Sequence, residues 1–358
     1  MSKRILIEAR DGQREIALLD EKRLLAFFQD TPAGIEAEQV YFGVVDRIVK
    51  GMEACFVRLG KDQVGFLPYA ECKERPRSGD KLPVQVKKPP IGEKAPYLTA
   101  DIALAGRYVI LTPFTARFAV SQKITEEGER ARLREIAAKL SPKGFGLVMR
   151  TESAEASEEA IAADVAALLQ AWHEIQEKQK TAQAPCLLKG REDALSRLLR
   201  DEHGEISEIL TNVPDALPPL PLPVRPCENP FDLYSVRAKL DKSMQRKVWL
   251  DCGGYLIIDK TEALTVIDVN SGKYTGGKSG TENTFLKLNM EAAQETARLL
   301  RLRNVGGIVI IDFVDMQNED SRAAVQKALE DALRDDPVKA VVHGFTTLGL
   351  MEMTRKKS

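Results

Sequence analysis

Three oxygen-bearing side chains close two apolar runs. Asp268 and Asn270 end Leu264-Thr265-Val266-Ile267-Asp268-Val269-Asn270, and Asp312 ends the run that leads into Phe313, Gly307-Ile308-Val309-Ile310-Ile311-Asp312. Side chains alternate along a strand, so Asp268 and Asn270 share a side, and Asp312 reaches the same rim if the two strands are neighbours. Hard oxygen donors without nearby Cys or His suit Mg2+, with Mn2+ able to substitute; Mg2+ keeps several waters and takes only one or two carboxylates from a protein. Such an ion activates water and stabilises the charge that builds on a phosphodiester oxygen. A lone Asp at a strand end ordinarily caps a helix or closes a turn. Two at matched ends, one with an Asn two residues on, point beyond that role. Asp315 is a further candidate acid beside them.

The elements that must position these groups can be read between them. From Thr284 to Arg303, Leu286, Met290, Ala293, Ala297 and Leu300 recur at steps of four and three, one apolar stripe of a helix, with Lys287, Glu291, Arg298 and Arg301 largely off it. The order strand, helix, strand predicts two parallel neighbouring strands whose carboxyl ends share one edge, where α/β sheets hold ligands. A rival lies in the same stretch. Gly272-Lys273-Tyr274-Thr275-Gly276-Gly277-Lys278-Ser279 fits the phosphate-cradling pattern G-x-x-x-x-G-K-[ST], and Ile308 to Asp312 looks like the metal-holding strand of such nucleotidases. Against it, the helical spacing begins only after Gly280-Thr281-Glu282-Asn283, too late for amides at a helix N-terminus to grip a phosphate. The plainer expectation is a glycine-rich connection whose Lys273 and Lys278 touch a nucleic-acid backbone.

Three segments carry a resemblance: Glu262-Ala263-Leu264-Thr265-Val266-Ile267-Asp268-Val269-Asn270-Ser271, the stretch from Arg301-Leu302-Arg303-Asn304 through Asp312-Phe313-Val314-Asp315-Met316, and Leu348-Gly349-Leu350-Met351-Glu352-Met353-Thr354-Arg355. They closely resemble the ribonuclease E/G family, and the resemblance runs from the N-terminus to the end of the chain. It implies a Mg2+-dependent endoribonuclease that cuts single-stranded RNA and leaves 5′-phosphate and 3′-hydroxyl ends. On the family's motif Asp268 and Asp312 match the metal-binding carboxylates, and Asn270 the residue that orients the site.

Composition sets the outer bounds. At 358 residues the chain can form two or more units with real cores, and 44% hydrophobic with 29% charged residues is ordinary for a soluble protein. Neither a secretory signal nor a bilayer-length apolar run is visible, which reads as cytoplasmic. Five scattered cysteines without C-x-x-C spacing suggest neither a zinc knuckle nor a disulfide framework. A net charge of -1 means that any RNA-binding surface must be local. Three histidines, none paired by spacing, make a metal-free histidine nuclease less attractive than a metal route.

In chain order, Arg4 to Ala9, Glu15 to Leu19 and Leu24 to Phe28 read as short strands. The resemblance makes residues 1–36 and 188–243 two parts of a ribonuclease-H-like supporting subdomain. Within 37–110, five short strands with glycine punctuation fit an OB-fold, a small barrel that commonly binds single-stranded nucleic acid. An isolated strand Phe is more often core than ligand-binding; the resemblance makes Phe56 and Phe66 the base-contacting aromatics and puts Lys94 near the basic contact. Residues 111–187 contain Gly144 to Thr151, a strand ending in Arg150-Thr151, whose guanidinium and hydroxyl suit a terminal phosphate. By residue type alone they would simply open the helix from Ser157 to Gln179; the resemblance makes them a 5′-monophosphate sensor. Glu152 and Glu155 stand where the family often has small residues, and acidic neighbours weaken phosphate capture. Asn212 to Pro230 holds seven of the eighteen prolines and reads as a connector. The catalytic unit, 244–358, follows, with a second helix from Ser321 to Leu333 and a closing strand from Val338 to Val342.

The expected fold is therefore α/β with several subdomains: OB-fold barrel, ribonuclease-H-like support and a C-terminal mixed α/β catalytic domain of deoxyribonuclease-I-like type. Longer family members carry a Cys-Pro-x-Cys pair after the Leu-Gly-Leu-x-Glu-Met-Thr-Arg motif that shares a structural zinc between subunits. Here the chain stops at Ser358, so no structural zinc is expected, and homo-oligomerisation by other surfaces stays open. Single-stranded RNA is the expected partner. The alternatives are an RNA-binding module without turnover and a P-loop nucleotidase.

Overall fold

The computed structural model describes residues 3–10, 13–30, 34–90, 92–116, 118–154, 156–202, 206–220, 222–272 and 281–356. Lys273 and Lys278, with the phosphate-loop pattern beyond Gly272, lie outside the described residues, as does Glu155. The chain is mixed α/β and divides into two compact units, Met1–Thr31 with Glu202–Ser358, and Pro32–Asp201.

In the first unit the apolar runs at the N-terminus form a five-stranded sheet. Its order is Val224–Pro226, Ile206–Thr211, Lys3–Arg10, Gln13–Leu19, Leu24–Asp30. The proline-rich stretch contributes only the edge strand, where a missing N–H costs no ladder bond. Leu6, Ala17, Leu19, Leu24, Leu210, Phe231 and Val236 pack with Leu302 in one cluster. Under that packing the buried Glu202 carboxylate receives Lys3 Nζ at 2.5 Å and the guanidinium of Arg301.

The same unit holds a six-stranded sheet in the order Lys247–Trp249, Tyr255–Lys260, Leu264–Asn270, Gly307–Asp312, Met351–Arg355, Ala340–Phe345. Leu264–Asn270 and Gly307–Asp312 are its parallel pair, joined by the helix Thr281–Leu302; the other pairings are antiparallel. That helix and Glu319–Leu333 cover one face, burying Ile267, Val269, Val309, Ile311, Met351 and Met353 against Leu288, Ala292, Ala293, Leu299, Val325 and Leu329. The alternate residues of the same strands face outward, with Ile308 exposed and Val266 and Ile310 half-buried. The two helices thus pack on one face of these apolar runs.

Element ends depart from expectation by a turn or less, with one consequence. The crossover helix starts at Thr281, three residues before the expected start at Thr284, because its opening turn is polar and gives no hydrophobic signal. A late helix start is therefore a weaker argument against a phosphate loop than the spacing suggests. The second helix starts at Glu319, where Asn318 Oδ1 accepts from Asp320 N at 2.9 Å, and the closing strand is Ala340–Phe345.

In the second unit, strands Val40–Val49, Ala54–Arg58, Val64–Pro68, Lys81–Lys88 and Tyr97–Thr99 form a barrel, closed because Val40–Val49 pairs with Lys81–Lys88 as well as with Ala54–Arg58. This agrees with an OB-like barrel. Tyr41, Val45, Cys55, Val57, Leu67, Val84 and Leu98 fill it. A four-stranded sheet, Phe118–Val120, Gly146–Met149, Val109–Thr112, Leu104–Ala105, packs under the helices Glu127–Leu140 and Glu158–Thr181. Ser157 Oγ caps the second helix by accepting from Ala160 N at 3.2 Å.

Candidate active site and nucleic-acid contacts

Asp268 and Asp312 are direct register partners at the carboxyl ends of the parallel strands. Both are exposed, on the face of the sheet opposite the two helices. Asn270, two residues along the same strand, donates from Nδ2 to Asp268 Oδ2 at 2.8 Å. The carboxyl of Asp312 is pushed above the usual range by partial burial, then by the negative charges of Asp268 and Asp315. A group of acids that repel one another across a strand boundary is a surface that a cation stabilises. Among the described residues no three His, Cys, Asp or Glu form a cluster that could hold a metal ion.

Supports within this sheet and its helices were not anticipated from the sequence. Asn289 is fully buried in the crossover helix, and its side chain donates to Val314 O at 2.7 Å and accepts from Val314 N at 3.1 Å. It thereby fixes the chain that leaves Asp312 and carries Asp315. An Asn inside an apolar helical stripe was the available signal. Glu291 accepts from Asp251 N at 2.5 Å and Cys252 N at 3.2 Å, pinning the turn between the first two strands of the sheet. Gly254 in that turn is required by space: a Cβ there would stand 2.4 Å from Leu288 Cδ1 and 2.9 Å from Asn270 O. Arg355, the last residue of the third resembling segment, is 2% exposed and holds Asp336 with Nε–Oδ2 at 2.7 Å and Nη2–Oδ1 at 3.1 Å, while Nη1 donates to Val305 O at 2.8 Å. It sits opposite Gly307, at the other end of the strand from Asp312, and does not enter the site.

In the second unit, Phe56 and Phe66 are register partners on adjacent barrel strands, half-buried on the side away from the barrel core. Their ring centroids are 5.7 Å apart, and Tyr97 extends the row, 6.1 Å from Phe66. The guanidinium of Arg47 lies 4.9 Å from the Phe56 centroid, and Lys88 Nζ lies 5.5 Å from that of Tyr97. Aromatic faces flanked by cations are what sequence-tolerant binding of single strands uses. Lys94 stands exposed three residues before Tyr97 and is not one of the cations over these rings.

Arg150 and Thr151 follow the strand Gly146–Met149. Thr151 Oγ1 lies 3.0 Å from Ser121 Oγ. Arg150 is already engaged: Nη1 donates to Gly106 O and Nη2 to Asp201 Oδ1 at 2.8 Å, with Glu152 Oε2 3.7 Å from Nε. Gly106 can be nothing larger, because a Cβ would meet the Asp164 carboxylate at 2.5 Å; that carboxylate accepts from the backbone N–H groups of Arg107, Tyr108 and Val109. Burial alone would raise the Asp201 carboxyl, but hydrogen bonds and charge from Arg200 and Arg150 outweigh it and hold the group below its usual range. Arg200 also meets Glu38 and Glu192. The acid that dominates Arg150 is thus Asp201, about fifty residues away in sequence, beside the anticipated Glu152.

Among the described residues no helix is long and apolar enough to cross a membrane. A sequence model of the Ribonuclease E/G family matches residues 103–358. The chain is 36% identical to Ribonuclease G of Escherichia coli (strain K12) over an alignment of 395 positions, covering 100% of this chain and 80% of that protein. It is 35% identical to Ribonuclease G of Haemophilus influenzae, covering 99% and 79%. With Ribonuclease E of Nostoc sp. (strain PCC 7120) it shares 36% identity over 89% of this chain and 51% of that protein.

Proposed function

The chain belongs to the ribonuclease E/G family, and on that premise we propose that it is a cytoplasmic endoribonuclease that cuts single-stranded RNA through metal-assisted attack of water, leaving 5′-phosphate and 3′-hydroxyl ends. One observation carries the reading: Asp268 and Asp312 are register partners at the carboxyl edge of two parallel strands, on an uncovered face of the sheet, with Asn270 bonded to Asp268. Asp268 and Asp312 would hold Mg2+, or Mn2+ in its place; when bound, the ion supplies a more acidic water and neutralises charge on the phosphodiester oxygens.

The protein's own part is to orient and to bind. Asn270 holds one Asp268 oxygen, which restricts how that carboxylate turns. Asn289 anchors Val314 and so the backbone between Asp312 and Asp315. Phe56, Phe66 and Tyr97 offer stacking surfaces for bases, and Arg47 and Lys88 offer charge for the neighbouring phosphates. Arg150 and Thr151 are read as the 5′-phosphate sensor, with Asp201 competing for the guanidinium. In this reading the five-stranded sheet is the ribonuclease-H-like support, residues 37–110 the RNA-binding domain, 111–187 the sensor region and 244–358 a deoxyribonuclease-I-like catalytic domain.

The test is incubation of the full chain with a single-stranded oligoribonucleotide in Mg2+ or EDTA, beside Asp268→Asn. Internal cuts that require both Mg2+ and Asp268 are expected. RNA that is bound and left intact would overturn the enzyme reading in favour of a binding module.

A further inference from the structure

The sheet edge that carries Asn270 continues into a pair of aromatic rings. Tyr255 is the register partner of Asn270, and Trp249 is the register partner of Tyr255, so the three residues form one row across three adjacent strands. Directly opposed residues point to the same face, which here is the uncovered face that also bears Asp268 and Asp312. At about 4.8 Å per strand, the indole stands roughly 10 Å from Asn270. Trp249 is 59% exposed although its neighbours Val248 and Leu250 are buried in the core below. Its ring centroid is 5.2 Å from that of Tyr255, edge-on at 62°. Lys247 completes the group: its Nζ is 4.2 Å from the Trp249 centroid and 3.7 Å from that of Tyr255.

We propose that Trp249 and Tyr255, with Lys247, form a stacking platform that holds a nucleobase of single-stranded RNA beside the catalytic edge, making Trp249 a positioning residue for the nucleotide next to the scissile phosphate. This rests on the nuclease reading for its placement relative to the cut, but not for the binding itself. The occupant follows from charge and position. A large indole left open to water, an ammonium group over both rings, and direct continuity with a carboxylate pair suited to a cation together fit a planar base joined to a phosphate. The base stacks, Lys247 faces the adjoining phosphate, and the chain is registered against Asp268 and Asp312. This platform is separate from the Phe56–Phe66–Tyr97 row, which belongs to the other unit.

The chain has two tryptophans, and the other, Trp172, is 4% exposed in the core of the second unit, so Trp249 is a built-in reporter. The Asp268→Asn chain is titrated with a single-stranded decaribonucleotide, and Trp emission and fluorescence polarisation of labelled RNA are read together. Saturable quenching that tracks binding and vanishes in the Trp249→Phe background is expected. In the active chain Trp249→Ala should raise KM by roughly 10-fold, within the range set by loss of one stacked base, with kcat changed less than about twofold, and Trp249→Phe should recover most of the loss. Bound RNA without any change in emission would overturn the platform. So would an emission shift that follows protein concentration without RNA, which would assign the face to a second copy. Quenching by RNA in a wild-type chain that never cuts would sink the nuclease reading and leave the platform standing.

Discussion

The side-chain amide of Asn270 donates to Asp268 Oδ2 at 2.8 Å, joining two residues that stand on one side of the same strand. The bond engages one oxygen of the carboxylate and restricts how it turns. Asn270→Ala should therefore weaken Mg2+ dependence by about 10- to 100-fold, the usual effect of removing a hydrogen bond that orients a ligand. Asn270→Asp should do more harm, because it replaces a donor with a third negative charge. Rates measured across a Mg2+ titration check both, and unchanged half-saturation in the Ala variant would remove Asn270 from the site.

Asp312 sets a pH dependence whose sign is definite. Its folded-state carboxyl is raised by partial burial and by Asp268 and Asp315, so its contribution to stability is fully present below the unfolded pKa and lost as pH rises through the folded one. In EDTA at neutral pH, Asp312→Asn should melt above the wild type, and the gap should close toward pH 4. The same variant should be inactive. Thermal melts at several pH values, without metal, decide it; a lower melting point for the variant at neutral pH would mean that the acidic repulsion is not what the geometry implies.

Asp201 occupies Arg150 at 2.8 Å, and on the proposed sensor role a 5′-phosphate would have to compete with it. Asp201→Asn should raise the ratio of cleavage rates on 5′-monophosphate and 5′-hydroxyl substrates, because the guanidinium loses its strongest internal partner. Arg200 still has Glu38 and Glu192, which keeps the loss of stability moderate. A ratio that does not move would show that Arg150 braces the loop at Gly106 and senses nothing.

Asn289 satisfies both backbone groups of Val314 from inside the core. Asn289→Leu leaves that N–H and C=O without their partner and should cost about 1–3 kcal/mol per buried group left unsatisfied. Because the disturbed backbone lies between Asp312 and Asp315, kcat should fall in the residual folded protein while RNA affinity holds. Urea unfolding and single-turnover rates separate the two effects.

Arg355→Met breaks the buried pair with Asp336 and strands its charge, an expected loss of about 3–5 kcal/mol. Replacing both partners by apolar residues should recover much of it. Chemical denaturation of the single and double variants measures the difference.

The amino-acid sequence by itself determined the sheet edge that carries Asp268 and Asp312. Apolar, β-branched runs ended by Asp268 and Asp312, with a helical period between them, admit one economical arrangement, and the structure has those strands parallel and in register. Local spacing also sufficed for the barrel strands, whose glycine punctuation and short apolar runs are properties of each segment. What only the tertiary structure decided are relations between residues far apart in the chain. Asp201 finds Arg150, Asn289 finds Val314, and Trp249 lines up through Tyr255 with Asn270, because sheet order and helix packing bring them together. The uncovered face of the catalytic sheet is of the same kind. Ile308, Ile310 and Val266 carry the same apolar signal as their buried neighbours, and only the placement of the two helices on one side decides which of them meets water.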